Sequence, residues 1–206
     1  MIISEQPAIQ KQTSLDPRIK RTRKLIYEAF GALLAEKDFQ SITVQDIAER
    51  AEVNRATFYA HFEDKYALLA YSVRDHLQDL LARRTADDQT LTLANLKLLA
   101  ATVCDFMGQF NGGCHRGLQN NDQMFIADQV QQSVYETLLN WFLRTENGHN
   151  RPLIASEQAA TTVSWVILGA SIQSIRKSTA TGQSPEVVAD QMLSLLVMGL
   201  DAYLNQ

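Results

Sequence analysis

Arg55, Thr57, Tyr59 and His61 are four hydrogen-bonding side chains within the single stretch SITVQDIAERAEVNRATFYAHFEDK, residues 41–65. A guanidinium can grip two acceptors of a base edge at once, while hydroxyls and an imidazole suit single acceptors such as phosphate oxygens. The spacing puts these groups largely on one side of a short helix, with Phe58 and Phe62, four apart, facing inward. Other chemistry is poorly served. Cys104, Cys114 and His115 offer too few ligands for a structural zinc site, and Glu146-Asn147-Gly148-His149 is a lone Glu-x-x-His with a glycine inside it. Cys104 reads better as a small buried hydrophobe and His149 as a loop residue, so neither a metal nor a cofactor is expected. A redox role for Cys104 or Cys114 stays open. With no Ser-His-Asp order, phosphate loop or Gly-x-Gly-x-x-Gly, an enzyme is disfavoured.

Two short helices must position the polar groups. Thr43 is an N-cap for a helix from Val44, whose apolar stripe is Val44, Ile47, Ala48 and Ala51, and which should stop near Ala51 or Glu52. Val53 fills the corner, and Asn54 caps a second helix from Arg55 to about Phe62. This is the helix-turn-helix arrangement that presents one helix to a DNA major groove. Upstream, Asp16-Pro17 starts a helix running to about Lys37, with Ile19, Ile26, Ala29, Phe30, Leu33 and Leu34 inside. Its first turns carry Arg18, Lys20, Arg21, Arg23 and Lys24, placed against the helix dipole. They form either a solvated basic face or a set of phosphate contacts.

Thr43, Asp46-Ile47-Ala48, Val53, Ala56-Thr57-Phe58-Tyr59, His61-Phe62 and Lys65 resemble the N-terminal domain of the tetracycline-repressor (TetR) family, over about residues 18–83. The family's turn often has Gly where this chain has Glu52-Val53-Asn54, so an Asn is expected to supply any left-handed backbone conformation needed. The resemblance implies an all-α protein, with an N-terminal three-helix helix-turn-helix DNA-binding domain and a C-terminal helical ligand-binding and dimerisation domain. The expected division is a disordered tail over 1–15, the DNA-binding domain over 16–65, a connecting helix over 66–84 and the body over 85–206. The implied function is a regulator, a repressor released from a palindromic double-stranded operator by an unidentified small molecule. Its DNA contacts would be Arg18, Lys20, Arg21, Thr43, Arg55, Ala56, Thr57, Tyr59, His61 and Lys65. Arg55 and Thr57 are the candidates for base edges, and Thr43, Tyr59, His61 and Lys65 for phosphates. The alternative is a helical small-molecule-binding protein or enzyme that has lost operator binding.

Beyond Arg84 the pattern gives a polar segment 85–92 and a helix Leu93–Phe110. A Gly-rich joint follows at Gly112, Gly113 and Gly117, then a helix from Gln123 to about Arg144 and a breaker cluster Glu146–Pro152. Two last helices, from Ser156 to about Lys177 and from Ser184 to about Leu204, are apolar round much of their circumference, which suits burial on more than one side. In the family the last two helices form a four-helix dimer interface. Val163, Ile167, Gly169, Ala170, Leu196, Gly199 and Tyr203 are the residues expected there, in a homodimer. Phe106, Met107, Phe110, Phe125, Tyr135, Trp141 and Trp165 could line a ligand cavity, although ordinary core is the competing reading for each.

The 206 residues, 46% hydrophobic, can bury a real core, and a net charge of −4 gives no bulk nucleic-acid signature. The distribution says more. Residues 1–65 hold ten Lys/Arg and ten Asp/Glu, whereas 66–206 hold nine and thirteen, so a neutral head sits on an acidic body. Two cysteines fit a reducing cytoplasm, no apolar run approaches the ~20 residues of a membrane span, and the N-terminus has no signal-peptide pattern. A cytoplasmic protein without membrane contact is expected.

Overall fold

The computed structural model describes residues 16–84, 90–111, 120–145 and 153–181, together with Val187 and Gln191. The expected all-α class is the one found, for every regular element among the described residues is helical. The elements are α1 (Pro17–Glu36), a 3-10 turn (Phe39–Ser41), α2 (Val44–Arg50), α3 (Arg55–Tyr59), α4 (Lys65–Arg84), α5 (Leu93–Asn111), α6 (Asn120–Thr145) and α7 (Leu153–Thr181).

Local chemistry fixes the starts of the head helices. The Asp16 carboxylate accepts from the Arg18 N–H at 2.9 Å, and Pro17 occupies the first turn of α1. Thr43 and Asp46 form a reciprocal capping box on α2, and Asn54 caps α3 by accepting from the Thr57 N–H. Asp64 caps α4 through the Ala67 N–H at 2.7 Å. The left-handed residue of the turn is Glu52, at φ 56°, while Asn54 is extended at φ −82°. The expectation of an Asn there is therefore corrected. Asn54 is committed to capping, which demands the extended backbone, and the sharp reversal falls two residues earlier.

The 3-10 turn between α1 and α2 was not expected. It carries Phe39 into the centre of the head, and Ile42 follows, both shut off from solvent beside Ile26, Phe30, Ile47 and Phe58. Burying side chains of this size contributes roughly 1.5–3 kcal/mol each. From Lys65 onward α4 leaves the head and enters the body. Its Leu68, Leu69, Val73, Leu77 and Leu81 are buried, so one apolar core runs from Ile26 to Leu168 without a break. Within the body α4 packs on α5 and α6, and α7 packs on the same two. Arg84 ties the end of α4 to α5, reaching the Asp105 carboxylate at 2.6 Å and the Thr102 hydroxyl at 3.2 Å.

Several apolar positions face outward, against the periodicity reading. Ile19 on α1, expected inside, is exposed because the helix begins before the core does, and Met124 lies open at the start of α6. On α7 the broad apolar surface divides. Ala160, Val163, Ser164, Ile167, Leu168 and Ser171 are buried within the chain, while Trp165, Val166 and Gly169 are exposed. The tail 1–15, the joint at Gly112, Gly113 and Gly117, Cys114, His115, the cluster 146–152 and most of the expected last helix, including Leu196, Gly199 and Tyr203, lie outside the described residues. No described helix is long and apolar enough to cross a membrane.

Candidate nucleic-acid interface

The short α3 presents Arg55, Ala56 and Tyr59 to solvent, and buries Phe58 completely. Tyr59 is held by its edge against the Phe58 ring, with centroids 5.6 Å apart, so its orientation is set by the core although half its surface is free. Thr57 is more constrained. Its hydroxyl donates to the Asn54 side-chain Oδ1 at 2.9 Å, so it can approach a base only as an acceptor or through its methyl group. Arg55 makes no hydrogen bond or ion pair among the described residues, which leaves its planar fork of donors available.

Around α3 the expected phosphate contacts separate into different roles. Arg18, Lys20, Arg21 and Lys24 are exposed along α1. Arg23 turns inward instead, its guanidinium 5.6 Å from the Phe62 ring and 5.8 Å from the Tyr71 ring. It lines a cleft of about 470 Å³ with Lys20, Lys24, Tyr27, Glu28, Tyr71 and Asp75. Burial, and then the neighbouring Arg23 charge, hold His61 below its ordinary value, so it is a neutral imidazole at pH 7 with a single N–H to offer. Thr43 donates its hydroxyl to Asp46 at 2.7 Å, so its proton is already used within the capping box.

Lys65 is the residue the structure reassigns. Its ammonium donates to the carbonyl oxygens of Phe39, Gln40 and Ile42 at 3.0, 3.1 and 3.0 Å, and it lies 4.7 Å from the Phe39 ring centroid. All three protons are committed to the backbone of the 3-10 turn, which leaves none for a phosphate. Burial lowers its affinity for a proton, and the nearby Asp122 partly opposes that. Lys65 thus clamps the turn, a role hidden from sequence reasoning because the turn itself was missed. Gln40 was missed as well. Its side-chain amide donates to both carboxylate oxygens of Asp122, at 2.8 and 2.9 Å, across 82 residues of chain.

In the body, Phe106, Met107 and Trp141 are buried, Tyr135 is half-buried, and the Phe110 side chain lies outside the described residues. Trp165 is 55% exposed and so lines no interior cavity of this chain. Val163 and Ile167, expected at a dimer interface, are buried against the chain's own helices, because α7 turns those positions toward α5 and α6. Gly169 and Ala170 lie nearer the surface, and a Cβ added at Gly169 would meet nothing within 4 Å. Cys104 is buried, and desolvation pushes its thiol up to about 11, which leaves no thiolate for redox chemistry at neutral pH. Among the described residues no group of three metal-ligating side chains comes together.

Comparison with known proteins finds its strongest sequence likeness in the head. Residues 22–71 match the bacterial regulatory proteins of the tetR family. An uncharacterised HTH-type transcriptional regulator of Bacillus subtilis (strain 168), YxbF, is 35% identical over 77 residues, 37% of this chain and 20% of that protein. The dhaKLM operon activator DhaS of Lactococcus lactis subsp. lactis (strain IL1403) is 32% identical over 60 residues, 29% of this chain and 32% of its own length. The chain thus spans about a fifth to a third of the curated relatives it matches. Over longer stretches the fold is shared at lower identity. A TetR variant from Acinetobacter baumannii AYE in complex with minocycline superposes with a TM-score of 0.53 at 19% identity, over 92% of this chain and 98% of that one. The dihydroxyacetone kinase operon activator DhaS gives 0.51 at 20% identity, over 88% and 97%. The capped helix-turn-helix and its match over residues 22–71 make the N-terminal part of this chain similar to the tetR family of bacterial regulatory proteins, within an all-α architecture.

Proposed function

We propose that the chain is a homodimeric, cytoplasmic DNA-binding repressor, released from a palindromic operator by a small molecule bound in the helical body. Residues 16–65 form its DNA-binding domain, 66–84 its connecting helix and 85–206 its ligand-binding and dimerisation domain. The carrying observation is the free Arg55-Ala56-Tyr59 face of α3, in a head whose α1 also carries the exposed cations Arg18, Lys20 and Arg21. Base-edge donors and a row of phosphate-seeking charges form what a major-groove reader needs. The minocycline-bound relative supports a ligand-responsive body, with Phe106, Met107, Tyr135 and Trp141 as the candidate residues. A second reading has its own support, since DhaS is named as an activator.

Selection of operators from random DNA by the full chain tests the reading. The expected product is a palindrome with half-site centres about 34 Å or more apart, and no enrichment would overturn it. Arg55→Ala should cost about 1–3 kcal/mol and relax one operator position. In a transcription assay, an operator overlapping the promoter with reduced transcript identifies a repressor, and an upstream operator with raised transcript an activator. A releasing ligand must bind the DNA-incompetent state more tightly. A ratio of about 100, roughly 2.7 kcal/mol, requires operator to weaken the ligand by the same factor.

A further inference from the structure

The first turn of α6 carries Asp122, a carboxylate only 1% exposed. A buried charge must be compensated, and here part of the compensation comes from a residue of the head, distant in sequence. Gln40, in the 3-10 turn of the head, spans both carboxylate oxygens and also meets the Tyr66 hydroxyl at 3.2 Å. Lys65, clamping the same turn, is close enough for Asp122 to favour its charged form. Aromatic rings continue the joint, with Phe39 against Tyr66 at 5.1 Å and Tyr66 against Phe125 of α6 at 5.6 Å. Gln40 itself lies in the turn that precedes α2, so the pair joins the start of α6 directly to the segment that leads into the helix-turn-helix.

We infer that the Gln40–Asp122 pair is a latch that registers the DNA-binding head against the body, making both residues positioning residues for operator recognition. The inference rests on the dimeric regulator reading, because registration matters only where two heads must meet two half-sites. A hydrogen-bonded buried carboxylate suits this task. Its bonds are directional, so small displacements of α6 either keep the pair or break it, whereas an apolar contact would slide.

The decisive experiment exploits an isosteric swap. Gln40→Glu sets two carboxylates face to face, and the double variant Gln40→Glu with Asp122→Asn restores a donor and an acceptor of unchanged lengths with their roles exchanged. Affinity is measured for the selected operator and for versions with the half-site spacing altered by one base pair, alongside the thermal midpoint. Gln40→Glu should weaken the selected operator by about tenfold or more and the altered spacings less, so that spacing selectivity narrows. The double variant keeps the added negative charge of the head and should recover both affinity and selectivity. Unchanged selectivity in Gln40→Glu, or a double variant that recovers its thermal midpoint but not its selectivity, reduces the pair to a structural contact and overturns the latch alone. A native chain that enriches no operator overturns the regulator reading and the latch with it.

Discussion

At Lys65 one ammonium group has two competing uses, a phosphate outside the head or three carbonyl oxygens within it, and the geometry is committed to the carbonyls. Losing a charged donor from such a set costs about 1.5–3 kcal/mol, since the carbonyls are partly withdrawn from water. Lys65→Met should therefore lower the urea midpoint and leave the salt dependence of operator binding unchanged. A slope reduced by about 0.9 with stability intact would return Lys65 to the phosphate contacts. Glu52 makes the opposite case. Its left-handed φ of 56° costs a side-chain-bearing residue about 1–2 kcal/mol, against about 0.5–1 kcal/mol for the chain entropy of glycine. Glu52→Gly should raise the urea midpoint by up to about 1 kcal/mol of stability, and a lowered midpoint would mean that the Glu52 side chain contributes more than the strain it causes.

Among the elements, α1 and α2 show how much of the head was legible. Asp16-Pro17, Thr43 with Asp46, and Asn54 act within three residues of themselves, so helix starts could be read from neighbours alone. The 3-10 turn, the Lys65 clamp and the Gln40–Asp122 pair could not, because each depends on partners at least 23 residues away that only tertiary packing brings close. The capping box carries a pH signature. A hydrogen bond from Lys37 first, then those from the Thr43 hydroxyl and N–H, hold Asp46 down from 3.8 to about 2. A depressed carboxylate contributes stability that is complete above its unfolded value and is lost as the pH falls through its folded one. Asp46→Asn should therefore flatten the acid limb of the unfolding profile between about pH 4 and 2, and an unchanged limb would assign acid sensitivity to other carboxylates. For α1, replacing Arg18, Lys20 and Arg21 together should flatten the salt slope by about 0.9 for each phosphate left without its cation. No change would make them a solvated basic face.

For the whole molecule, α7 decides where a second subunit can sit. Periodicity marked the helix as apolar on most sides but could not say which side the chain itself would use, since that depends on how α5 and α6 meet it. The described fold uses Val163, Ile167 and Leu168 internally and leaves a stripe of Trp165, Val166 and Gly169 outside, at three- and four-residue spacing. With open space over Gly169, a neighbouring helix can approach closely, and a two-fold arrangement would bring the stripe against its own copy. Covering the exposed part of each Trp165 removes on the order of 100 Å² of largely apolar surface, about 2–3 kcal/mol per subunit. Trp165→Arg should then weaken the dimer by roughly a thousandfold while leaving the helical circular dichroism intact, whereas Ile167→Arg, which buries an unpaired charge inside the subunit, should unfold the body. Sedimentation of Trp165→Arg across a concentration series makes the distinction. A monomer supports the stripe, and an undiminished dimer places the interface on another surface. Fluorescence gives an independent check on the native chain. Trp141 is already buried, so a blue shift on raising protein concentration must come from Trp165 entering an interface.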